Sequence, residues 1–155
     1  MKSNTFKILK IAIAIFIIVG LVVGVIKYGV GKYSKAMENV SNTVTEFMQL
    51  NSDGKIKDAY AMTSIEFQEQ NSFEQYDDFI TSMPWLFKDF QSIQIQSSSI
   101  NSESGAGTNY NISGNTIYNN NDVGTFEFAL TGESNSYKIL EFSLRADVNR
   151  YNLYQ

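Results

Sequence analysis

A long apolar run near the start of the chain is the first feature of its hydrophobic pattern. Residues 11–26 read IAIAIFIIVGLVVGVI and contain no charge. Extended over residues 8–30, the run would form a helix about 34 Å long at about 1.5 Å per residue. That length is enough to span a hydrocarbon core of roughly 30 Å with modest tilt. The sequence therefore predicts a single transmembrane helix.

Lysines flank this apolar run on both sides. Lys10 and Lys27 adjoin Ile11 and Ile26, the apolar ends of the predicted anchor, and their aliphatic stems can lie along the apolar zone while the ammonium groups reach the headgroups. A cleaved signal peptide is the competing interpretation, but Lys27 separates the run from the small residues after it. Each side carries three lysines, so charge alone does not decide the orientation.

From residue 36 onwards, apolar positions recur at the three- and four-residue spacing of amphipathic helices. Four helices are predicted in this region. One ends at the turn cluster 51–54, a short one carries residues 56–60, and two are opened by capping boxes at Thr63 and Ser72. Pro84 closes the last of them.

After Pro84 the period of the apolar positions changes to two, which indicates strands. Four strands are predicted, around residues 92–96, 110–118, 126–131 and 137–144. The turn-rich segments between them, including residues 101–107, are typical of antiparallel hairpins. Gly114 is interpreted as a bulge in the second strand, and a change of phase after Ile139 indicates either another bulge or a strand buried on both faces in the fourth.

This order of elements predicts an α+β fold, in which an N-terminal transmembrane helix is followed by helices and then by a curved antiparallel sheet. The predicted domains are a membrane anchor at residues 1–35 and a soluble domain at residues 36–155. Seventeen of the 21 aromatic residues belong to the second domain, which supplies a hydrophobic core and argues against disorder.

Composition excludes several kinds of chemistry. The chain has no Cys and no His, so it has no disulfide, no thiol nucleophile and no imidazole base. We predict no catalytic residue, no metal site and no cofactor. Residues 1–35 hold six lysines and no acidic residue, whereas residues 36–155 hold six basic and all 16 acidic residues, so the net charge of −4 separates into +6 and −10. An acidic domain without a basic stripe argues against nucleic-acid binding.

Three local patterns occur in order along residues 36–147. The first is DGKIKDAY at 53–60, the second is SFE at 72–74 followed by MPWL at 83–86, and the third is the closing pair of strands. Together they resemble the nuclear transport factor 2-like superfamily, the cystatin-like, cone-shaped fold also seen in ketosteroid isomerases and SnoaL-like proteins. Within it, the chain is similar to membrane-anchored bacterial domains of unknown function.

In that superfamily a curved sheet wraps over helices and leaves a pocket at the wide end, so the resemblance implies where a ligand would bind. Six aromatic residues are candidates for the lining of a small apolar pocket: Tyr60, Phe67, Trp85, Phe87, Phe126 and Phe142. Packing in the hydrophobic core is the alternative interpretation. Family enzymes commonly place His or Asp in the pocket. A lyase or isomerase without His would need a buried carboxylate with a raised pKa near Tyr60 or Tyr110.

We therefore expect a non-enzymatic, membrane-anchored interaction domain on the extracytoplasmic side, as an accessory subunit of a membrane complex. Its expected partners are the lipid bilayer and a protein of the membrane or envelope. Binding of a small apolar ligand in the cone is the alternative function. The apolar segment 85–87 either plugs the cone or forms a patch that docks a partner or the membrane surface. Residues 151–155 are either an added contact or a frayed end.

Overall fold

The structure is a computed structural model that describes residues 31–103, 107–133 and 136–154. The predicted anchor run at 11–26, with Lys10 and Lys27 at its ends, lies outside these residues. Within the described ranges, no helix combines the length and the hydrophobicity needed to cross a membrane. By its internal contacts the chain divides into two compact units, Met1–Met37 and Glu38–Gln155.

Residues 31–52 belong to helix α1, which ends in a Schellman motif. Gly54 adopts a left-handed φ of 74°, and its N–H donates to the carbonyl of Asn51 at 3.2 Å. The N–H of Lys55 donates to the carbonyl of Leu50 at 2.8 Å. These two bonds satisfy carbonyls that a helix end leaves open. The predicted end of this helix is confirmed.

Three short helices follow: α2 (Ile56–Ala61), α3 (Ile65–Gln70) and α4 (Phe73–Ser82). The predicted capping box at the start of α4 is confirmed, because the Ser72 hydroxyl accepts from the N–H of Gln75 while the Gln75 side chain accepts from the N–H of Ser72. The predicted capping of α3 by Thr63 is wrong. Ser64 is the N-cap, and its hydroxyl accepts from the N–H of Phe67 at 3.1 Å.

Four antiparallel strands form one sheet in the order β1-β2-β3-β4. They are β1 (Phe90–Glu103), β2 (Gly107–Tyr118), β3 (Val123–Glu133) and β4 (Ser136–Ala146). Short 3-10 turns precede β1 and β3, at Pro84–Leu86 and Asn119–Asn121, and helix α5 (Val148–Asn152) follows β4. The predicted α+β fold, with helices before an antiparallel sheet, is confirmed.

Strand β1 is much longer than the strand predicted at residues 92–96. Its second half begins at Ser97 and pairs with the first half of β2 as far as Glu103 and Gly107. The predicted loop at 101–107 is therefore wrong at both ends, because residues 101–103 belong to β1 and Gly107 belongs to β2. The long hairpin of β1 and β2 is the largest element of the sheet.

Bulges interrupt the regular pairing of the sheet at three places. Gln91 and Gln96 are extra residues in β1, and Leu140 is an extra residue in β4. The bulge predicted after Ile139 is confirmed. The one predicted in β2 at Gly114 is wrong, since the extra residue lies opposite Gly114 in β1. Bulges bend strands and increase twist, so this sheet can curve over the helices, which is compatible with a cone-shaped fold.

The two edge strands of the sheet differ in how they are covered. At β4, the N–H of Ser64 donates to the carbonyl of Ile139 at 2.8 Å, and the N–H of Ile139 donates to the carbonyl of Met62 at 3.1 Å. The ammonium group of Lys138 also donates to the carbonyl of Ala61 at 2.7 Å. The α2–α3 connection therefore covers β4 at this point. At the other edge, β1 has β2 as its one strand partner among the described residues.

Candidate functional site

Aromatic side chains fill the space between the helices and the sheet, where the fold resemblance implies a pocket. The ring centre of Phe142 in β4 lies 5.2 Å from that of Phe47, 6.0 Å from that of Phe67 and 5.7 Å from that of Phe128. Phe47 comes from α1 and Phe67 from α3, so this cluster joins both helices to β3 and β4. Such separations are those of packed aromatic pairs.

Four of the six candidate pocket residues lie in or beside this cluster. Phe67 and Phe142 stack on each other, and Phe126 is buried on the same face of β3. Tyr60 is half-buried and contacts the cluster through Tyr76, with 5.4 Å between ring centres. These four residues have the contacts of a hydrophobic core. A ligand bound among them stays a prediction.

The other two candidates, Trp85 and Phe87, lie around the 3-10 turn before β1. Phe87 is 1% exposed and packs edge-to-face on Phe79. Trp85 is half-buried, and its ring lies edge-to-face on Tyr151 of α5 at 4.7 Å. Leu86 is also buried. Leu86 and Phe87 are therefore packed in the core, and both interpretations of segment 85–87 stay predictions.

Arg150 in α5 is the buried charged residue that sequence reasoning missed. It is 2% exposed, its Nε–H donates to the carbonyl of Trp85 at 2.6 Å, and its guanidinium also donates to the carbonyl of Lys88. One guanidinium nitrogen lies 3.7 Å from a carboxylate oxygen of Asp122. The guanidinium stacks on the ring of Tyr118, whose hydroxyl pKa is raised by burial. In the segment predicted as an added contact or a frayed end, Tyr151 packs on Trp85 and Tyr154 bonds to Asp89, so residues 151–154 make an added contact, and residue 155 lies outside the described residues.

A weak sequence signal for this contact existed. The chain has ten lysines but two arginines, Arg145 and Arg150. Arginine is the basic residue suited to a buried site, because its planar guanidinium donates several hydrogen bonds at once and stacks on aromatic rings. Tyr151 and Tyr154 follow Arg150 in sequence and contact the same segment before β1. The Tyr151 ring packs on Trp85, and the Tyr154 hydroxyl donates to the carboxylate of Asp89.

A cavity of about 300 Å³ lies where α1 ends, α2 begins and α4 meets the 3-10 turn. We call it the helix-end cavity. Its apolar lining comes from four residues: Ile56, Ile80, Pro84 and Phe87. Ser52, Thr81 and Lys88 add polar groups, and Lys88 is the one charged residue among the described residues that line it. Of the six candidate pocket residues, Phe87 alone belongs to this lining.

A second cavity, also of about 300 Å³, lies on the sheet face that points away from the helices. Small polar side chains of neighbouring strands dominate its lining, among them Ser97, Ser99, Asn111, Ser113 and Ser143. Two exposed carboxylates, Glu127 and Glu141, complete it. The side chains here alternate with the buried aromatic residues of the same strands, which explains why this face is polar.

No Asp or Glu is buried among the side chains that the structure describes. Glu66 and Glu74 lie in the first turns of α3 and α4, where backbone N–H groups and the cap hydroxyls lower the pKa of both carboxyl groups. The Tyr60 hydroxyl donates to the carbonyl of Asn71 at 2.7 Å. These are not the surroundings that an isomerase-type carboxylate needs. In the described ranges, no cluster of three or more acidic residues could hold a metal ion.

Comparison with known proteins finds no protein-family model that matches the chain and no curated protein with significant similarity to it. The likeness to nuclear transport factor 2-like domains therefore rests on the three sequence patterns and on the order of the elements. The helices followed by a four-stranded antiparallel sheet are compatible with that fold.

Proposed function

We propose that this chain is a membrane-anchored, non-enzymatic interaction domain of the nuclear transport factor 2-like type. In this proposal the anchor at 1–35 holds the domain on the extracytoplasmic side, where it serves as an accessory subunit of a membrane complex. The observation that carries the proposal is the long edge strand β1, which carries no charge from Phe90 to Ser102. The partner is a protein that adds an extended segment to this edge.

Strand β1 has the properties of a strand that accepts a partner. It is 14 residues long, and no charged residue stands between Asp89 and Glu103. Natural edge strands are commonly protected by Lys, by Pro or by bulges, which discourage pairing with another chain. β1 has no Lys or Pro, its two bulges at Gln91 and Gln96 lie before Ser97, and most of its side chains are exposed. An extended peptide can pair with such an edge through main-chain hydrogen bonds.

The rest of the domain supports a function that surface residues perform. Its interior is packed with aromatic rings, and its described carboxylates are exposed or half-buried. Residues 36–155 carry a net charge of −10, yet the second half of β1, Ser97–Ser102, consists of Ser, Ile and Asn. An approaching neutral segment therefore meets no lysine or carboxylate along residues 97–102, and backbone pairing supplies its affinity.

The test places charges on β1. Full-length chain carrying Ser97→Lys and Ser99→Lys is purified from its native membrane in mild detergent and compared with a variant carrying Thr125→Lys and Ser143→Lys. All four positions are exposed and two lysines are added in each case, but the control pair lies on β3 and β4. Circular dichroism establishes that both variants are folded.

We expect a protein that co-purifies with the unaltered chain and with the control variant, and that is lost from the β1 variant. Retention of the same protein by the β1 variant would contradict strand addition at β1. A chain that runs alone as a monomer in every preparation would contradict the interaction role itself.

A further inference from the structure

The cavity on the sheet face that points away from the helices, here called the sheet-face cavity, follows from the pairing register. Two neighbouring rows of side chains cross all four strands and line it. One row is Ser97, Ser113, Glu127 and Ser143, and the other is Ser99, Asn111, Ala129 and Glu141. Ala129 and the serines have short side chains, so they leave a depression beside the two longer glutamates.

The polar groups of this lining are accessible to a ligand. Six of its side chains are exposed: Ser97, Ser99, Asn111, Glu127, Glu141 and Ser143. Within the part of the chain that the structure describes, none of these six forms a side-chain hydrogen bond or an ion pair. A ligand therefore does not have to displace a protein partner from them.

The charge of the lining attracts a cation. Glu127 pairs with Ser143, which makes Glu141 its diagonal neighbour across β3 and β4. The Cβ atoms of such neighbours are roughly 7 Å apart, so both carboxylates can contact one small ligand. No Lys or Arg belongs to the described lining.

Two basic residues of β4 are near this lining in sequence, but neither neutralises it. Lys138 directs its ammonium group to the carbonyl of Ala61 at 2.7 Å. Arg145 is exposed and forms no ion pair with a carboxylate of the described residues. The net charge of −10 on residues 36–155 also favours the approach of a cation.

The size and polarity of the cavity narrow the class of cation. Its volume of about 300 Å³ is about ten times the 30 Å³ that one water molecule occupies in the liquid. A bare metal ion would leave most of this space unfilled. The serine hydroxyls and the amide of Asn111 both donate and accept hydrogen bonds, so they match a ligand that carries hydroxyl groups as well as a positive charge.

We propose that the sheet-face cavity binds a small hydroxylated amine of monosaccharide size, such as an amino sugar. Its ammonium group contacts Glu127 and Glu141, and its hydroxyl groups bond to the serine and asparagine side chains of the two rows. This site does not depend on the partner-strand role of β1, because a partner strand pairs with main-chain groups at the edge whereas the ligand contacts side chains on the face.

The test uses the full chain in phosphatidylcholine nanodiscs, with empty nanodiscs as the reference. Saturation-transfer difference NMR measures binding of glucosamine at a pH at which its amine is protonated. Glucose is the matched neutral sugar, since a hydroxyl takes the place of the ammonium group. Putrescine supplies positive charge without hydroxyl groups, and Mg²⁺ is added as a competitor to test for a metal site.

Five variants accompany the unaltered chain. Glu127→Gln and Glu141→Gln each remove one carboxylate of the lining, and Glu69→Gln removes an exposed carboxylate of α3 outside it. Ala129→Leu fills the depression, and Thr125→Leu places the same side chain at an exposed position of β3 outside it. Circular dichroism establishes that all five are folded.

We expect saturable, millimolar binding of glucosamine and weaker binding of glucose and putrescine. Each lining Glu→Gln change should lower the affinity by about fivefold, which corresponds to about 1 kcal/mol, while Glu69→Gln leaves it unchanged. Ala129→Leu should abolish binding and Thr125→Leu should retain it. Equal binding of glucosamine and glucose, binding that persists in Ala129→Leu, or no saturable binding of glucosamine would overturn the proposal. Displacement of glucosamine by Mg²⁺ at a lower concentration than that of the sugar would also overturn it.

Discussion

The guanidinium carbon of Arg150 lies 3.6 Å from the ring centre of Tyr118, although one residue belongs to the last helix and the other ends β2. The same guanidinium donates to backbone carbonyls of the segment between α4 and β1. One side chain therefore joins three parts of the chain that are distant in sequence. Because it is buried, its removal leaves several polar groups without partners.

Arg150→Ala is expected to lower the free energy of unfolding by about 3 kcal/mol, since a buried arginine loses its carbonyl and aromatic partners together. Arg150→Lys is expected to fall between Ala and the unaltered chain, because an ammonium lacks the planar fork. Denaturant unfolding of each variant gives the comparison. Arg145→Ala, which removes an exposed arginine, should cost less than about 0.5 kcal/mol. Equal effects at both positions would contradict the assigned role of Arg150.

Gly114 is predicted to be essential for folding. A Cβ atom at this position would lie 2.0 Å from the carbonyl oxygen of Gln94, which belongs to the strand segment displaced by the bulge at Gln96. We expect Gly114→Ala to lower the free energy of unfolding by about 3 kcal/mol or more, since backbone must move. Gly54→Ala is the comparison. Its Cβ meets open space, but its φ of 74° is strained for Ala, so about 1 kcal/mol is expected. The reverse order would contradict the close approach.

Tyr76 makes the free energy of unfolding depend on pH in the alkaline range. Burial raises the pKa of its hydroxyl well above the ordinary value near 10, and the hydrogen bond with Asn51 opposes this only in part. The unfolded chain ionises near pH 10 while the folded chain does not. The stabilisation is therefore fully present below pH 10 and is lost as pH rises above it, by about 1.4 kcal/mol per pH unit.

Tyr76→Phe should flatten this dependence, and unfolding curves between neutral pH and pH 11 measure the difference between the two proteins. Tyr151→Phe, at a tyrosine that is 38% exposed, provides the control for loss of a hydroxyl. Identical slopes for the unaltered chain and Tyr76→Phe would contradict the prediction.

Phe142 is expected to behave as a core residue. Its ring contacts rings from α1, α3, α4 and β3, so truncation leaves a cavity that the surrounding rings cannot fill. Phe142→Ala should lower the free energy of unfolding by about 3 kcal/mol, whereas Leu153→Ala, at a position 67% exposed, should cost less than about 0.5 kcal/mol. Thermal and denaturant unfolding measure both. A stable Phe142→Ala chain would indicate that this ring lines an open pocket.

Protease accessibility tests the orientation of the proposed anchor. If residues 36–155 lie outside the cytoplasm, protease added to intact spheroplasts should degrade them, and a cytoplasmic marker protein should survive. Protection of the domain until the membrane is lysed would reverse the orientation. This experiment decides the orientation, which the equal numbers of lysines on the two sides of the apolar run do not decide.

The helices and most of the strand positions followed from the apolar periodicity, because their contrast between apolar and polar positions is strong. The second half of β1 could not be predicted from this periodicity. Residues Ser97, Ser98 and Ser99 carry no apolar alternation, and the segment is a strand because its backbone pairs with β2. Ser64, not Thr63, caps α3 for a similar reason, because the Thr63 hydroxyl donates to the carbonyl of Tyr60. Such partners come from folding, not from local sequence.

Less of the candidate site than of the fold could be predicted from the sequence. The aromatic residues were identified, but a sequence pattern does not distinguish rings that line a pocket from rings that pack on one another, as Phe67 and Phe142 do. The helix-end cavity combines residues from α1, α2, α4 and the turn before β1, and no short motif marks it. Arg150 was missed because a charged residue is ordinarily exposed, and its burial depends on carbonyls far away in sequence.

The hydrogen bonds of Ile139 with the α2–α3 connection have a consequence for stoichiometry. A foreign strand cannot run the whole length of β4, because the connection already occupies that edge at Ile139. Head-to-tail stacking of copies through both edges is therefore obstructed at one of them. An assembly built by pairing at β1 should stop after one addition, giving a closed complex of fixed composition instead of a growing filament.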